Sequence, residues 1–282
     1  MSRMVSRQVP PVAAHKHRGF TLTELAITLL ILGLLIGSLL GPISARMDLQ
    51  RTLETQKSLA ETRDALVGFA AANGRLPCPA STGSNGQESF CVASTGTCSP
   101  TTTLPAHGRC SNPYDGLVPS ATLALGPINE QALMLDAWGN PVRYAITNVK
   151  DASTGAFYFT AADGLKGRWN SPTPPDPDLR ICSTGSGMSV ATPGSADCAS
   201  GRVLAASAVA VIYSLGRNAA AGGTSLDEAH NPNPQSTIAP DRAFVSHEPA
   251  AAVAPGGEFD DVVTWLSPNV LYGRLIAAGR LP

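Results

Sequence analysis

One carboxylate stands out by its surroundings. From Phe20 to Ile43 the chain runs 24 residues with Glu24 as its only charge. A carboxylate inside an apolar helix costs about 2.5–3.5 kcal/mol on insertion scales, so Glu24 calls for a partner that neutralises it. A second reactive group is the set of six cysteines, Cys78, Cys91, Cys98, Cys110, Cys182 and Cys198, all beyond the apolar run. No Cys-x-x-Cys pair occurs among them, which removes zinc-ribbon and thioredoxin readings. An even number of cysteines in an exported domain reads as a disulfide framework. Its pairing is formally open; proximity favours Cys182–Cys198 and allows Cys78–Cys110 to enclose Cys91–Cys98. Histidine chemistry is sparse. Beyond residue 19 only His107, His230 and His247 remain, and no G-x-S-x-G, H-E-x-x-H or Walker-type loop is present. His107 and Cys110 lack a second ligand pair, and His247-Glu248 with Asp241 reads as surface hydrogen bonding. No catalytic residue is assigned, and the expectation is a protein that is not an enzyme.

These residues need elements to position them. The 24-residue apolar run is roughly 36 Å of helix, enough to cross a bilayer. Arg3, Arg7, Lys16 and Arg18 precede it and no acidic residue does, which places the leader in the cytoplasm and the remainder outside. Beyond Pro42 the pattern turns amphipathic. Leu49, Leu53, Ala60 and Val67 recur at helical steps, with Leu59, Leu66 and Ala70 on an adjoining stripe, and Asn73-Gly74 ends the helix. From Phe20 to Ala72 that is 53 residues, roughly 80 Å, with a bend expected at Gly41-Pro42. Leu76 to Pro119 reads as a disulfide-tied loop region. Short strands are predicted over Pro141–Val149, Ala156–Ala161, Ala208–Leu215 and Asp260–Trp265, and loops over Ser171–Pro177 and Asn231–Pro240. Ser267-Pro268 starts a last helix carrying Val270, Leu271, Arg274, Leu275 and Ala278, which Gly279 closes.

The fold class is therefore α+β. A long bent N-terminal helix packs on an antiparallel β-sheet, with disulfide-tied loops and a short C-terminal helix. Twenty Lys and Arg against 21 Asp and Glu leave a net charge of −1, so no broad basic surface for nucleic acid is expected.

The stretch His17-Arg-Gly-Phe-Thr-Leu-Thr-Glu-Leu25, continued by Ala-Ile-Thr-Leu-Leu-Ile-Leu-Gly33, closely resembles the signal of type IV pilins and type II secretion pseudopilins. That resemblance implies cleavage after Gly19 by a prepilin peptidase, N-methylation of Phe20, and a role for Glu24 in assembly with other pilin or pseudopilin subunits. Asp136-Ala-Trp-Gly-Asn-Pro141 resembles the turn entering the sheet of the major pseudopilin, and Ser214-Leu-Gly with Gly222-Gly223 a later segment of the same family. In those proteins the later loop can hold calcium, for which Asp227, Glu228, Glu258, Asp260 and Asp261 are the oxygen-ligand candidates here; no cofactor is otherwise expected.

The expected organisation is a cleaved leader 1–19, a transmembrane half-helix 20–43, an amphipathic half-helix 44–73 and a periplasmic domain 74–282. The protein would sit in the inner membrane as a single-pass precursor and then in a filament or at the cell surface. Cleavage leaves 263 residues, bulky for a densely repeating subunit, which points to a minor pilin or pseudopilin. The alternative is a periplasmic binding protein or enzyme permanently held by an uncleaved tether.

Overall fold

A computed structural model describes residues 21–169, 175–188, 198–199, 201–221, 223, 225–234, 242–254 and 256–282, without the side chains of 38–45. The chain divides into two compact units, Met1–Leu49 and Gln50–Pro282. Helix α1 (Leu22–Asn73) contributes its first part to the one and its second part to the other. Among the described residues no helix is long and apolar enough to cross a membrane. Of the predicted span 20–43, Phe20 and the side chains of 38–43 lie outside the description.

In the second unit α1 buries Thr55, Leu59, Thr62, Leu66 and Ala70. This corrects the expected face: the adjoining stripe is the buried one, while Leu53 is 55% exposed. Both threonine hydroxyls find partners, which lets them enter the core. Thr62 Oγ1 donates to Ser58 O at 2.8 Å, and Thr55 Oγ1 accepts from Ala137 N at 3.2 Å. Gly74, at φ +71°, ends the helix in the left-handed conformation and returns its N–H to Ala70 O at 2.8 Å.

The expected loop region holds a small hairpin, β1 (Phe90–Cys91) with β2 (Pro100–Thr101). Disulfides join Cys78 to Cys110 around an inner Cys91–Cys98 bridge, and Cys182 to Cys198 farther on. A buried ion pair fixes this region to the end of α1: Arg75 grips both oxygens of Glu88 at 2.6 and 2.9 Å, and Cys78 N adds a third bond at 2.9 Å.

Next come β3 (Gly116–Leu117), α2 (Ser120–Leu123), β4 (Arg143–Ile146), α3 (Gly164–Trp169), β5 (Leu179–Cys182), β6 (Val203–Ala208) and β7 (Ala210–Ser214). After these stand α4 (Leu226–Ala229), β8 (Ala243–Val245), β9 (Val262–Leu266) and α5 (Pro268–Ala277). One sheet is antiparallel in the order β3-β4-β7-β9. A second, in the order β6-β5-β8, contains the parallel pair β5–β8, so the expectation of antiparallel pairing alone is corrected. The strand expected over Ala156–Ala161 is a turn. Thr160 and Ala161 both donate back to Phe157 O, and Phe157 and Phe159 enter the core from it. Tyr144, Ile146, Ile212 and Leu266 meet Leu59 and Leu66 of α1 and Leu271 and Leu275 of α5 in the main core cluster. Helix α5 begins as the sequence predicts, with Ser267 Oγ accepting from Val270 N and Pro268 in its first turn.

Candidate functional site

Gly19 and Phe20, the predicted processing residues, lie outside the described residues. Description starts at Thr21, one residue before α1, and there the sequence yields a feature beyond its expected charge. Thr21 Oγ1 accepts from Glu24 N at 3.3 Å, while Glu24 Oε2 accepts from both Thr21 N and Thr21 Oγ1 at 2.9 Å. This is a reciprocal capping box, which satisfies donors that the first helical turn would leave orphaned. Its signal, Thr-x-x-Glu at 21–24, was legible in the sequence and was missed because Glu24 was read only for its charge. Both donors fall on one oxygen, so Oε1 remains open among the described residues. Every residue from Thr21 to Gly37 is exposed.

The two later segments singled out in the sequence are hydrogen-bonded to each other. Asp136 is buried and shapes its turn by accepting from Trp138 N at 2.9 Å and Asn140 N at 2.8 Å. Its second oxygen accepts from Ser214 Oγ at 2.5 Å, and Asn140 Nδ2 reaches Gly216 O at 2.7 Å. The entrance of β4 and the exit of β7 are thereby locked together. Gly216, at φ +63°, has no room for a Cβ because Asp260 lies against it; Arg217 N then donates to Asp260 Oδ2 at 3.0 Å.

Asp260 belongs to a carboxylate cluster. Of the five candidate ligands, Glu228, Asp260 and Asp261 converge, with oxygens all within 4.8 Å of one another. Helix α4 positions the first: Ser225 Oγ accepts from Glu228 N at 3.2 Å. Asn218 Nδ2 meets both Glu228 oxygens at 3.0 Å, and Asp260 N meets Oε1 at 3.0 Å. Asn231, from the stretch expected to be a loop, supports the cluster by donating to Asp261 Oδ2 at 2.7 Å. Asp260 Oδ1 is buried without a hydrogen-bond partner. Burial, reinforced by Glu228, raises the Asp260 pKa to about 6. Burial likewise lifts Asp261 well above the carboxylate range, with Glu228 and Asp260 adding to it. The remaining two candidates face elsewhere. Glu258 pairs with Arg217 at 2.7 Å, and Asp227 holds His247 Nε2 at 3.1 Å, Thr184 Oγ1 at 2.8 Å and Gly185 N at 2.6 Å.

Three converging carboxylates are the hard-oxygen ligand type that divalent cations such as calcium take; without a cation, the cluster favours retaining a proton. Asp241 is outside the described residues; His247 Nε2 meets the carboxylate of Asp227. Cys110 is in a disulfide and His107 Nδ1 accepts from Arg109 N at 3.0 Å, which leaves no metal pair there.

Residues 14–40 match a family model described as the prokaryotic N-terminal methylation motif. This is the signature of the prepilin-type signal of type IV pilins and pseudopilins, and it points to a structural subunit. No curated protein and no solved structure matches the chain.

Proposed function

We propose that the chain is the precursor of a minor pilin or pseudopilin, a structural subunit of a type IV pilus or type II secretion filament and not an enzyme. The observation that carries this reading is the match over residues 14–40, which brackets the Gly19–Phe20 junction and the capping box that opens α1. The prepilin peptidase hydrolyses the peptide bond after Gly19 on the cytoplasmic side, and the new amine of Phe20 is methylated. Residues 20–43 stay in the inner membrane as a single span, with the domain beyond it in the periplasm. The open Oε1 of Glu24 accepts from the Phe20 ammonium of a neighbouring subunit, offsetting the desolvation of both charges. Glu24 thus serves its own helix through one oxygen and the neighbour through the other.

The test is the amino terminus of membrane-extracted protein, read by intact mass and peptide sequencing with and without a prepilin peptidase. N-methyl-Phe20 that appears only with the peptidase is the expected result. An intact leader beside an active peptidase would sink the reading in favour of a tethered periplasmic protein.

A second reading concerns the carboxylate cluster. We propose that Glu228, Asp260 and Asp261 hold calcium, favoured by the convergence of an oxygen from each within 4.8 Å and by the buried Asp260 Oδ1 that no hydrogen bond satisfies. Calcium should raise the melting temperature of the wild type and not of Asp260→Asn; equal shifts in both would count against the site.

A further inference from the structure

Strand β9 is an edge of the four-stranded sheet and, among the described residues, pairs only with β7. An antiparallel edge strand turns alternate N–H and C=O groups away from its neighbour. Among the described residues, none of those on Val262–Leu266 meets a backbone partner on that side. Proteins ordinarily blunt such edges with charge, proline or a bulge. The strand Val262-Val-Thr-Trp-Leu266 contains neither charge nor proline, and its register against β7 runs without a shift.

Two cavities follow this edge. One of about 550 Å³ is lined by the consecutive residues Asp261–Thr264, and one of about 860 Å³ by Thr264–Ser267. Successive strand side chains point to opposite faces, so consecutive residues share a cavity only where it runs along the edge. The cavities adjoin at Thr264, and the second part of α1 walls both, through Gln56 and Leu59 in one and Val67 and Gly68 in the other. At about 3.3 Å per residue, Val262–Leu266 offers roughly 17 Å of open edge. On the helix wall a Cβ at Gly68 would meet nothing within 4 Å.

We infer that this cleft is an acceptor slot for an extended segment of a partner polypeptide, which adds a fifth strand to the sheet along β9. Main-chain bonds to the open edge supply affinity and side-chain contacts supply selectivity, as in strand-addition recognition generally. Val67, Trp265 and Val270 call for apolar side chains on the incoming segment. At the Ser267 end stand Arg63, 3.7 Å from Asp64, and Arg274, which has no ion-pair partner among the described residues. The segment therefore carries a carboxylate at that end. The slot lies within Gln50–Pro282 and does not depend on how the leader is processed.

The test uses the full chain in detergent micelles and a probe peptide, acetyl-Asp-Thr-Val-Thr-Val-Thr-Val-amide, which sets its carboxylate at the Ser267 end when paired antiparallel to β9, with a counterpart beginning in Lys. Amide hydrogen exchange is followed over residues 261–267. At about 1 mM the acidic peptide should slow exchange there about tenfold, and the Lys peptide or Arg274→Glu should weaken the effect. Gly68→Trp fills the slot from the helix wall while replacing a poor helix former, so it should abolish protection with the melting temperature kept. The proposal is overturned if the peptide leaves exchange unchanged, or protects Gly68→Trp equally. It is also overturned if β9 in the free chain already exchanges as slowly as β7. Protection that arises by self-association without peptide would assign the slot to a second copy and remove the stated partner.

Discussion

Leu22–Gly37 and Gln50–Asn73 belong to one helix and are held by different means. In the first stretch every side chain is exposed, including Leu30 at 64% and Leu34 at 68%, and its order rests on backbone bonds and one capping box. In the second, Thr55, Leu59, Thr62, Leu66 and Ala70 are buried in the chain's own core. An apolar surface that its own chain leaves open is available to lipid or to other subunits, whereas one already covered can only stabilise the fold. On the proposed function, assembly draws on the first part of this element, while folding uses the second.

The largest effect should come from Glu88→Ala, which leaves Arg75 buried without its carboxylate. A loss of about 3–5 kcal/mol is expected in urea unfolding, with leader cleavage unchanged; a simultaneous failure of cleavage would break the separation between the two stretches. Removing the Cys78–Cys110 bridge by paired serine substitution should cost about 3–4 kcal/mol in the chain-entropy account, against about 2–2.5 kcal/mol for the smaller Cys91–Cys98 loop. Equal losses would show that the bridges do not act mainly by constraining the unfolded chain.

A smaller effect should follow pH. The folded-state pKa of Asp260 lies near 6 against an ordinary 3.8, so the folded state binds its proton more tightly. Its contribution is greatest below 3.8 and declines as pH rises through 6. Raising the pH from about 4.5 to 6.5 should cost on the order of 1 kcal/mol, since solvent screening at this half-exposed group reduces the shift's full value. Asp260→Asn should reduce that slope, leaving the same-signed part from Asp261. The opposite-signed Asp151, whose pKa its Ser153 and Thr154 hydrogen bonds lower, acts below its ordinary 3.8 and so outside this range. The smallest effect is local. Thr21→Ala should cost about 1 kcal/mol of helix stability, visible as faster amide exchange over residues 22–25 with no change in the denaturation midpoint of the domain.

Legibility in the sequence followed the same division. The start of α5 could be read because Ser267-Pro268 is a local capping signal, and the end of α1 because Asn73-Gly74 is one too. The buried face of α1 was misread since Thr55 and Thr62 count as polar in any periodicity, and only the fold reveals that Ala137 N and Ser58 O satisfy them. Strands β6 and β8 escaped notice for a similar reason: Ala-rich Val203–Ala208 and three-residue Ala243–Val245 acquire strand character only by pairing with β5. Within the candidate site, the residue types of the carboxylate cluster were legible but its membership was not. Glu228 and Asp260 lie 32 residues apart in the chain, and nothing local shows that Glu258 turns instead to Arg217.

Arg280 draws one more consequence from α1. Its guanidinium donates to Ala71 O and Ala72 O, carbonyls at the end of the helix, across 209 and 208 residues of sequence. A chain made from its amino terminus therefore emerges with that helix end unsealed until nearly the whole domain has followed. Sealing of that helix end thus waits on a side chain made 208 positions later, and a product truncated before Arg280 would lack both bonds.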